Sequence, residues 1–304
     1  MIARSLGALV LLAIVWGGSI PLTKLGLRDL PPLTLTALRY LTAAPCFLWM
    51  LRARRLPEAR GTAAAAGLGL LGIGIGQVAQ TLGVRLTPAS VATVVSALIP
   101  VFVVALAAVR LRQPVGGVQA GGLVAALAGV ALVAGGDPRT WARLTAAGAT
   151  SGQASPHLLT GVGLVLLSAV AVALYYVLSV ELIERHSVLT VAAISSLAGA
   201  AALVPVSAWE LGHAPVRITL EAAGVVLYLG LLVTVAGLWV WFGALVALPA
   251  RIPAALQYLQ PLVGVFASAA LFGEQLDRWF WTGTGLVLAG IALTAGTRAR
   301  PASR

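Results

Sequence analysis

Shifted by 161 positions, the second half of this chain repeats landmarks of the first. Pro88 falls on Pro249, Pro100 on Pro261, Gly122 on Gly283, Gly129 on Gly290 and Gly135 on Gly296, while Leu127-Ala128-Gly129 falls on Leu288-Ala289-Gly290. Prolines and glycines held in one register inside apolar segments mark a duplicated membrane unit. How often each unit crosses the bilayer then decides whether the copies stand parallel or upside down.

Composition supports a membrane reading. Of 304 residues, 60% are hydrophobic and 10% charged, and the mean hydropathy is +0.99. Soluble domains carry about 25% charged residues, so a soluble core has no place for this much apolar surface. A helix needs about 20 apolar residues to span. Ten segments qualify: 5–27, 31–51, 62–84, 88–109, 114–135, 158–180, 188–208, 220–247, 250–271 and 279–297. They are continuous apolar runs rather than alternating ones, which argues against strands. The first run reaches Leu27, long enough to span, so it reads as an uncleaved helix rather than a signal peptide. The stretch 136–157, containing Gly148-Ala149-Thr150-Ser151-Gly152-Gln153, is the longest polar segment and reads as a linker.

Ten spans divide into five plus five, and an odd number inverts the second unit. The expected fold is therefore an all-α membrane protein of ten transmembrane helices in two inverted five-helix repeats. The first repeat is 1–135, the linker 136–157 and the second repeat 158–304. The net charge of +11 comes from arginines scattered singly between apolar runs, not from a basic face for nucleic acid. With the N-terminus inside, the cytoplasmic loops hold Arg4, Arg52, Arg54, Arg55, Arg60, Arg110, Arg112, Arg185, Arg251, Arg298, Arg300 and Arg304. The other side holds Lys24, Arg28, Arg85, Arg139, Arg143, Arg217 and Arg278. Twelve against seven favours both termini in the cytoplasm. One lysine beside nineteen arginines, with much Ala and Gly, suggests a GC-biased bacterial genome and hence the cell (inner) membrane. Equivalent loops also change character: the basic 52–60 loop corresponds to 209–221, which carries Glu210 and Glu221, and Arg110 and Arg112 to a loop holding Glu274 and Asp277. One loop pair dissents: Lys24 and Arg28 lie outside while Glu181 and Glu184 lie inside. The single Cys46 excludes an intramolecular disulfide.

Small residues four apart (Gly72 and Gly76, Gly117 and Gly121, Ala125 and Gly129) stack on helix faces and suit close packing, with sliding as a second use. Pro100 and Pro261 fall mid-span, where each is expected to kink its helix and either fix a bend or let the halves flex. Polar side chains within spans need partners or water. Trp16, Ser19 and Thr23 follow one another at helical spacing, and Gln77 and Gln80 share a face. Later spans hold Tyr175, Tyr176, Ser179, Ser195, Ser196, Tyr228, Thr234, Trp239, Trp241, Gln257, Tyr258 and Gln260. Serines and threonines can bond back to their own helix; the glutamines call for a wet cavity or interhelical bonds. Arg39 is the one formal charge near a span centre, a placement costing about 2.5–3.5 kcal/mol. Two roles fit it: anchoring a substrate carboxylate, or holding helices through their carbonyls.

No Asp or Glu sits mid-span, the histidines His157, His186 and His213 lie in loops, and no Gly-rich phosphate loop with Lys occurs. This pattern argues against a membrane enzyme and an ATP-driven pump, and no cofactor or metal is expected. The expected partners are a small-molecule substrate and the lipid bilayer, not nucleic acid, with the chain a monomer or homodimer.

Trp16-Gly17-Gly18-Ser19, Lys24-Leu25-Gly26-Leu27, Leu30-Pro31-Pro32 and Ala37-Leu38-Arg39-Tyr40 resemble the start of an EamA-type domain. Gly273-Glu274, followed by Gly283 and Gly290, resembles the end of a second copy. The resemblance is to the drug/metabolite transporter superfamily and covers essentially the whole chain. It implies two inverted five-helix repeats, cytoplasmic termini and transport of small metabolites such as amino acids, often export, through a central cavity. One departure is that Arg112-Gln113 stands where the family has Gly-Glu between helices four and five of the first repeat. The expected activity is secondary export of amino-acid-like metabolites by alternating access, with a multidrug or nucleoside-type exporter as the alternative. Expected around the cavity are Trp16, Gln77, Gln80, Tyr175, Tyr176, Trp239, Gln257 and Tyr258, with Arg39, Pro100 and Pro261 in gating or structural roles.

Overall fold

The computed structural model describes residues 2–52, 54–110, 116–135, 156–248, 252 and 256–295. Most of the linker, Arg112-Gln113, Pro249 and Gly296 lie outside the described residues. Within those residues the regular structure is helical, with no strand. Apolar runs of this length leave the backbone only one way to satisfy its polar groups locally, the helical ladder.

The helices run as α1 (Ile2–Gly17), α2 (Ser19–Gly26), α3 (Pro32–Arg52), α4 (Ala59–Gly69), α5 (Val78–Leu86), α6 (Ala89–Ser96), α7 (Ile99–Arg110) and α8 (Gly117–Gly135). They continue as α9 (Pro156–Arg185), α10 (Val188–Leu211), α11 (Leu220–Leu227), α12 (Gly237–Ala247), α13 (Leu259–Phe272) and α14 (Arg278–Ala295). Two wide π-helical segments, Leu70–Gln77 and Tyr228–Ala236, join α4 to α5 and α11 to α12. Seven helical rods are long and apolar enough to cross a membrane: Ser5–Gly26, Ala59–Leu86, Ala89–Arg110, Gly117–Gly135, His157–Arg185, Val188–Leu211 and Leu220–Ala244. Helix α3 falls outside that set because Arg39 and several threonines dilute its apolar run, and α13 is a shorter apolar helix.

The prolines expected to kink their spans do something different. Helix α6 ends at Ser96 and α7 begins at Ile99, so Pro100 sits in the first turn of a new helix. Pro261 likewise sits in the first turn of α13, after a turn at 257–258. A first-turn proline forfeits no ladder bond, because its N–H would be unpaired there anyway. The spans are therefore divided rather than bent.

Close backbone approach sets the packing. A Cβ on Gly129 would stand 2.5 Å from the Gly283 carbonyl oxygen, and one on Gly283 would stand 2.6 Å from that of Gly129. Gly122 and Gly290 face each other in the same reciprocal way. Helices α8 and α14 thus cross in opposite directions at van der Waals contact, and the four glycines of the contact are among those that the 161-residue shift superimposes. Gly117 and Gly121 have open space instead. A core of Val94, Val95, Leu98, Val165, Val265 and Val287 fills the junction of α6, α9, α13 and α14.

The chain runs back and forth between two ends that are held differently. At one end the Lys24 ammonium donates to the carbonyls of Val84, Arg85 and Thr87 at 2.8, 2.9 and 2.8 Å, closing the C-terminus of α5. There the Glu274 carboxylate accepts from the Ala89 and Ser90 amides at 2.7 and 3.0 Å. The buried Glu210 accepts from the Leu33 and Thr34 amides at 3.2 and 2.7 Å, and from the Thr34 hydroxyl at 2.8 Å. The Thr219 hydroxyl and Arg217 amide donate to Asp29. The opposite end carries exposed contacts: Arg110 with Glu181 at 3.0 Å, Arg54 with Ser187 at 2.7 Å, and His186 with Glu58 at 3.7 Å. Exposed pairs of that kind contribute only about 0–1 kcal/mol each.

Candidate functional site

The first helix breaks at Gly17-Gly18, and the halves meet closely at the break. A Cβ on Gly17 would lie 2.7 Å from the Gln260 carbonyl oxygen and 2.8 Å from Val263 Cβ. Gly264 returns the contact, its Cβ position lying 2.7 Å from the Gly17 carbonyl oxygen. The break also turns Trp16 inward. Its indole N–H donates to the Val233 carbonyl at 2.9 Å, and its ring lies 5.7 Å from that of Trp241. Tyr228 anchors the same turn through its hydroxyl, which donates to the Val15 carbonyl at 2.7 Å.

Trp16 and Trp241 form one wall of a narrow, water-sized crevice, with Leu9, Leu12, Ala13, Leu256, Gln257 and Gln260 as the rest of its lining. The Gln260 side-chain amide donates to the Gln257 side-chain oxygen. Aromatic faces, aliphatic side chains and two carboxamides meet here, the groups that offer stacking and neutral hydrogen bonds, around a gap that would have to widen to admit a metabolite. The lining lies toward the end of the bundle that carries the exposed contacts, on the N-terminal side of Trp16.

One residue beyond Val233 a second cluster begins. The Arg39 Nε donates to Thr234 Oγ1 at 3.0 Å, and an Arg39 Nη donates to Gln77 Oε1 at 3.0 Å. Gln77 ends the first π segment and Thr234 lies in the second, so one guanidinium bridges the wide turns of both halves. Wide turns are uncommon and concentrate at functional sites. The second one lies directly on α3: a Cβ on Gly230 would stand 2.8 Å from the Arg39 carbonyl oxygen. Thr234 Oγ1 in turn donates to the Leu229 carbonyl at 2.8 Å, satisfying an acceptor within the wide turn. The Tyr40 ring lies 5.3 Å from the Arg39 guanidinium carbon.

The structure brings some of the residues singled out by sequence together and separates others. Trp16 and Gln257 line the crevice, and Gln77 joins Arg39. Gln80 donates to Ser96 at 3.4 Å across the neighbouring helix. Tyr175 packs over Gly72, with the Tyr176 ring 5.5 Å away, and Tyr176 is 52% exposed. Tyr258 reaches the Ile291 carbonyl at 3.4 Å, outside the crevice lining. Trp239 is 52% exposed and also stands outside that lining, where Trp241 takes the position facing Trp16. Thr234, Trp241 and Gln260 were recognisable as polar or aromatic residues within spans, but their convergence was not.

The model of the EamA-like transporter family matches this chain twice, over residues 4–135 and 159–296. The chain belongs to the EamA-like transporter family. Similar full-length relatives include an uncharacterized transporter of Archaeoglobus fulgidus, 25% identical over 95% of this chain and 98% of the relative. Another is a probable terminal-alkyne amino-acid exporter of Streptantibioticus cattleyicolor, 29% identical over 96% of this chain and 93% of that one. A solved crystal structure shares the fold at a TM-score of 0.60 and 17% identity, covering 96% of each chain. An EamA-like chain with several long apolar helices is a multi-pass membrane transporter.

Proposed function

We propose that this EamA-like transporter is a secondary exporter of small metabolites such as amino acids, working by alternating access across the cytoplasmic membrane. The reading takes the chain as ten crossings in two inverted five-helix repeats, 1–135 and 158–304, joined by the linker 136–157, with both termini cytoplasmic. The reciprocal glycine contact between α8 and α14 supports the inversion, since equivalent helices of the halves run in opposite directions there. The carrying observation is the crevice itself. Two facing tryptophans and the Gln257–Gln260 pair, drawn from the first helix and the second half, line an opening toward one end of the bundle.

On this reading the molecule is open toward the cytoplasm and closed outside. The closed end is held by Glu210, Glu274, Arg217 and Thr219 of the second half, each bonded to backbone or side chains of the first. Export requires those bonds to open while the crevice closes around Trp16. Aromatic and amide groups suit amino acids with apolar or aromatic side chains.

Flux through proteoliposomes containing the purified chain tests this, using a panel of radiolabelled amino acids and other metabolites with and without a pH gradient. Replacing Trp16 by Leu together with Gln257 by Ala removes a stacking face and an amide contact. At about 1–2 kcal/mol for the pair, flux of the transported solutes should fall roughly tenfold while folded yield holds. Unchanged flux would place the route elsewhere.

A further inference from the structure

We infer that Arg39 is a recognition site for the carboxylate of the transported solute. The inference rests on the transporter reading above. Arg39 lies well inside α3, which the transporter reading takes as one of the crossings, and both of its observed side-chain partners, Thr234 and Gln77, are neutral oxygens. They fix the direction of the guanidinium without balancing its charge. Two of its five N–H groups are engaged in this way, and Arg39 as a whole is half-buried.

The counter-charge is not supplied by the chain among the described residues. Asp29 and Glu221 lie in or beside the connections at the tied end, where Glu210 and Glu274 cap α3 and α6. Asp277 caps the start of α14 through the Phe280 amide at 2.8 Å. Glu58, Glu181 and Glu184 lie at the opposite end, near His186 and Arg110. No ion pair includes Arg39 among the described residues. A clamp between two helices would need only neutral donors, which a glutamine provides. A permanent cation held in a fixed pose by neutral acceptors is instead the arrangement that receives a planar oxyanion through charge-assisted hydrogen bonds.

Location agrees with this role. Thr234, which orients Arg39, follows Val233, whose carbonyl holds the Trp16 indole at the crevice wall. The substrate class on this inference is a small carboxylate with an apolar body, its carboxylate at Arg39, one helical residue from the group that holds Trp16. Because Gln77 belongs to the first half and Thr234 to the second, a carboxylate at this guanidinium is felt by both halves at once.

The experiment compares matched pairs in proteoliposomes of the full chain: L-phenylalanine with L-phenylalaninamide, and L-leucine with L-leucinamide, alongside the metabolite panel. Wild-type protein should move the carboxylate of a pair at least about tenfold faster than its amide, as a site built around a charged donor rejects a solute lacking the partner. Arg39→Gln should abolish that preference by slowing the carboxylate, leaving amide flux within about twofold, and Arg39→Lys should retain it. Thermal unfolding midpoints report whether each variant is folded. Equal wild-type rates for acid and amide would overturn the inference without any variant. A folded Arg39→Gln protein that keeps the preference, or slows both solutes equally, would overturn it while leaving transport intact. Absence of flux for every solute in the panel would instead sink the transporter reading and this inference with it.

Discussion

Glu210 shows how a single side chain can hold two parts of a membrane bundle. Charge patterning places it in a loop, yet it ends α10 and is only 8% exposed, with its carboxylate on the first amides of α3. Proline at the start of α3 removes one orphan donor, and Glu210 satisfies two of the others, Leu33 and Thr34. The negative charge also faces the positive end of the helix. Glu210→Ala should lower stability by about 1–3 kcal/mol, seen as a lower unfolding midpoint in detergent. Glu210→Gln keeps one acceptor oxygen and should cost less. Nothing in the sequence announced this bond, because a cap from a residue 176 positions away leaves no local trace. Arg39 was legible for the opposite reason: a charge inside an apolar run violates the pattern around it. Its partners were not, since Gln77 and Thr234 meet it only through the fold.

At the scale of elements, hydropathy located the helices well. Among the described residues the apolar runs are mostly helical, seven of the rods being long and apolar enough to cross a membrane, and the polar clusters between 52 and 60 and between 274 and 278 hold connections. The interruptions within spans escaped it. In an all-apolar run, regular, wide and broken turns bury similar side chains, so periodicity carries little contrast. That is why Pro100 and Pro261 read as kinks and why the π segments were invisible. Glycine spacing was a partial guide. It marked Gly129, which packs against Gly283, but also Gly117 and Gly121, which touch nothing nearby. Gly129→Leu should therefore prevent α8 from seating on α14, with folded yield collapsing in fluorescence-detected size exclusion, because backbone atoms block the new side chain. Gly121→Leu should leave yield near that of the unmodified chain.

Across the whole molecule, the two ends differ in kind. One carries amide–carboxylate and ammonium–carbonyl bonds, partly buried; the other carries exposed side-chain pairs. If the tied end must open in each cycle, fastening it covalently should stop transport. Asp29→Cys with Thr219→Cys, in a chain whose lone cysteine is removed by Cys46→Ala, joins the positions whose side chains now share a hydrogen bond. Oxidised protein should lose flux and recover it on reduction; flux unaffected by a formed disulfide would mean the tied end never parts.

The seam between α8 and α14 has one more consequence. Gly122 meets Gly290 and Gly129 meets Gly283, and the shift of 161 carries each glycine onto the partner of the other. A surface that fits its own counterpart after being turned over is a surface that fits itself. Helix α8 alone thus carries the pattern of both sides of the contact, and the covalent chain supplies proximity to a pairing whose geometry is that of two identical subunits about a two-fold axis.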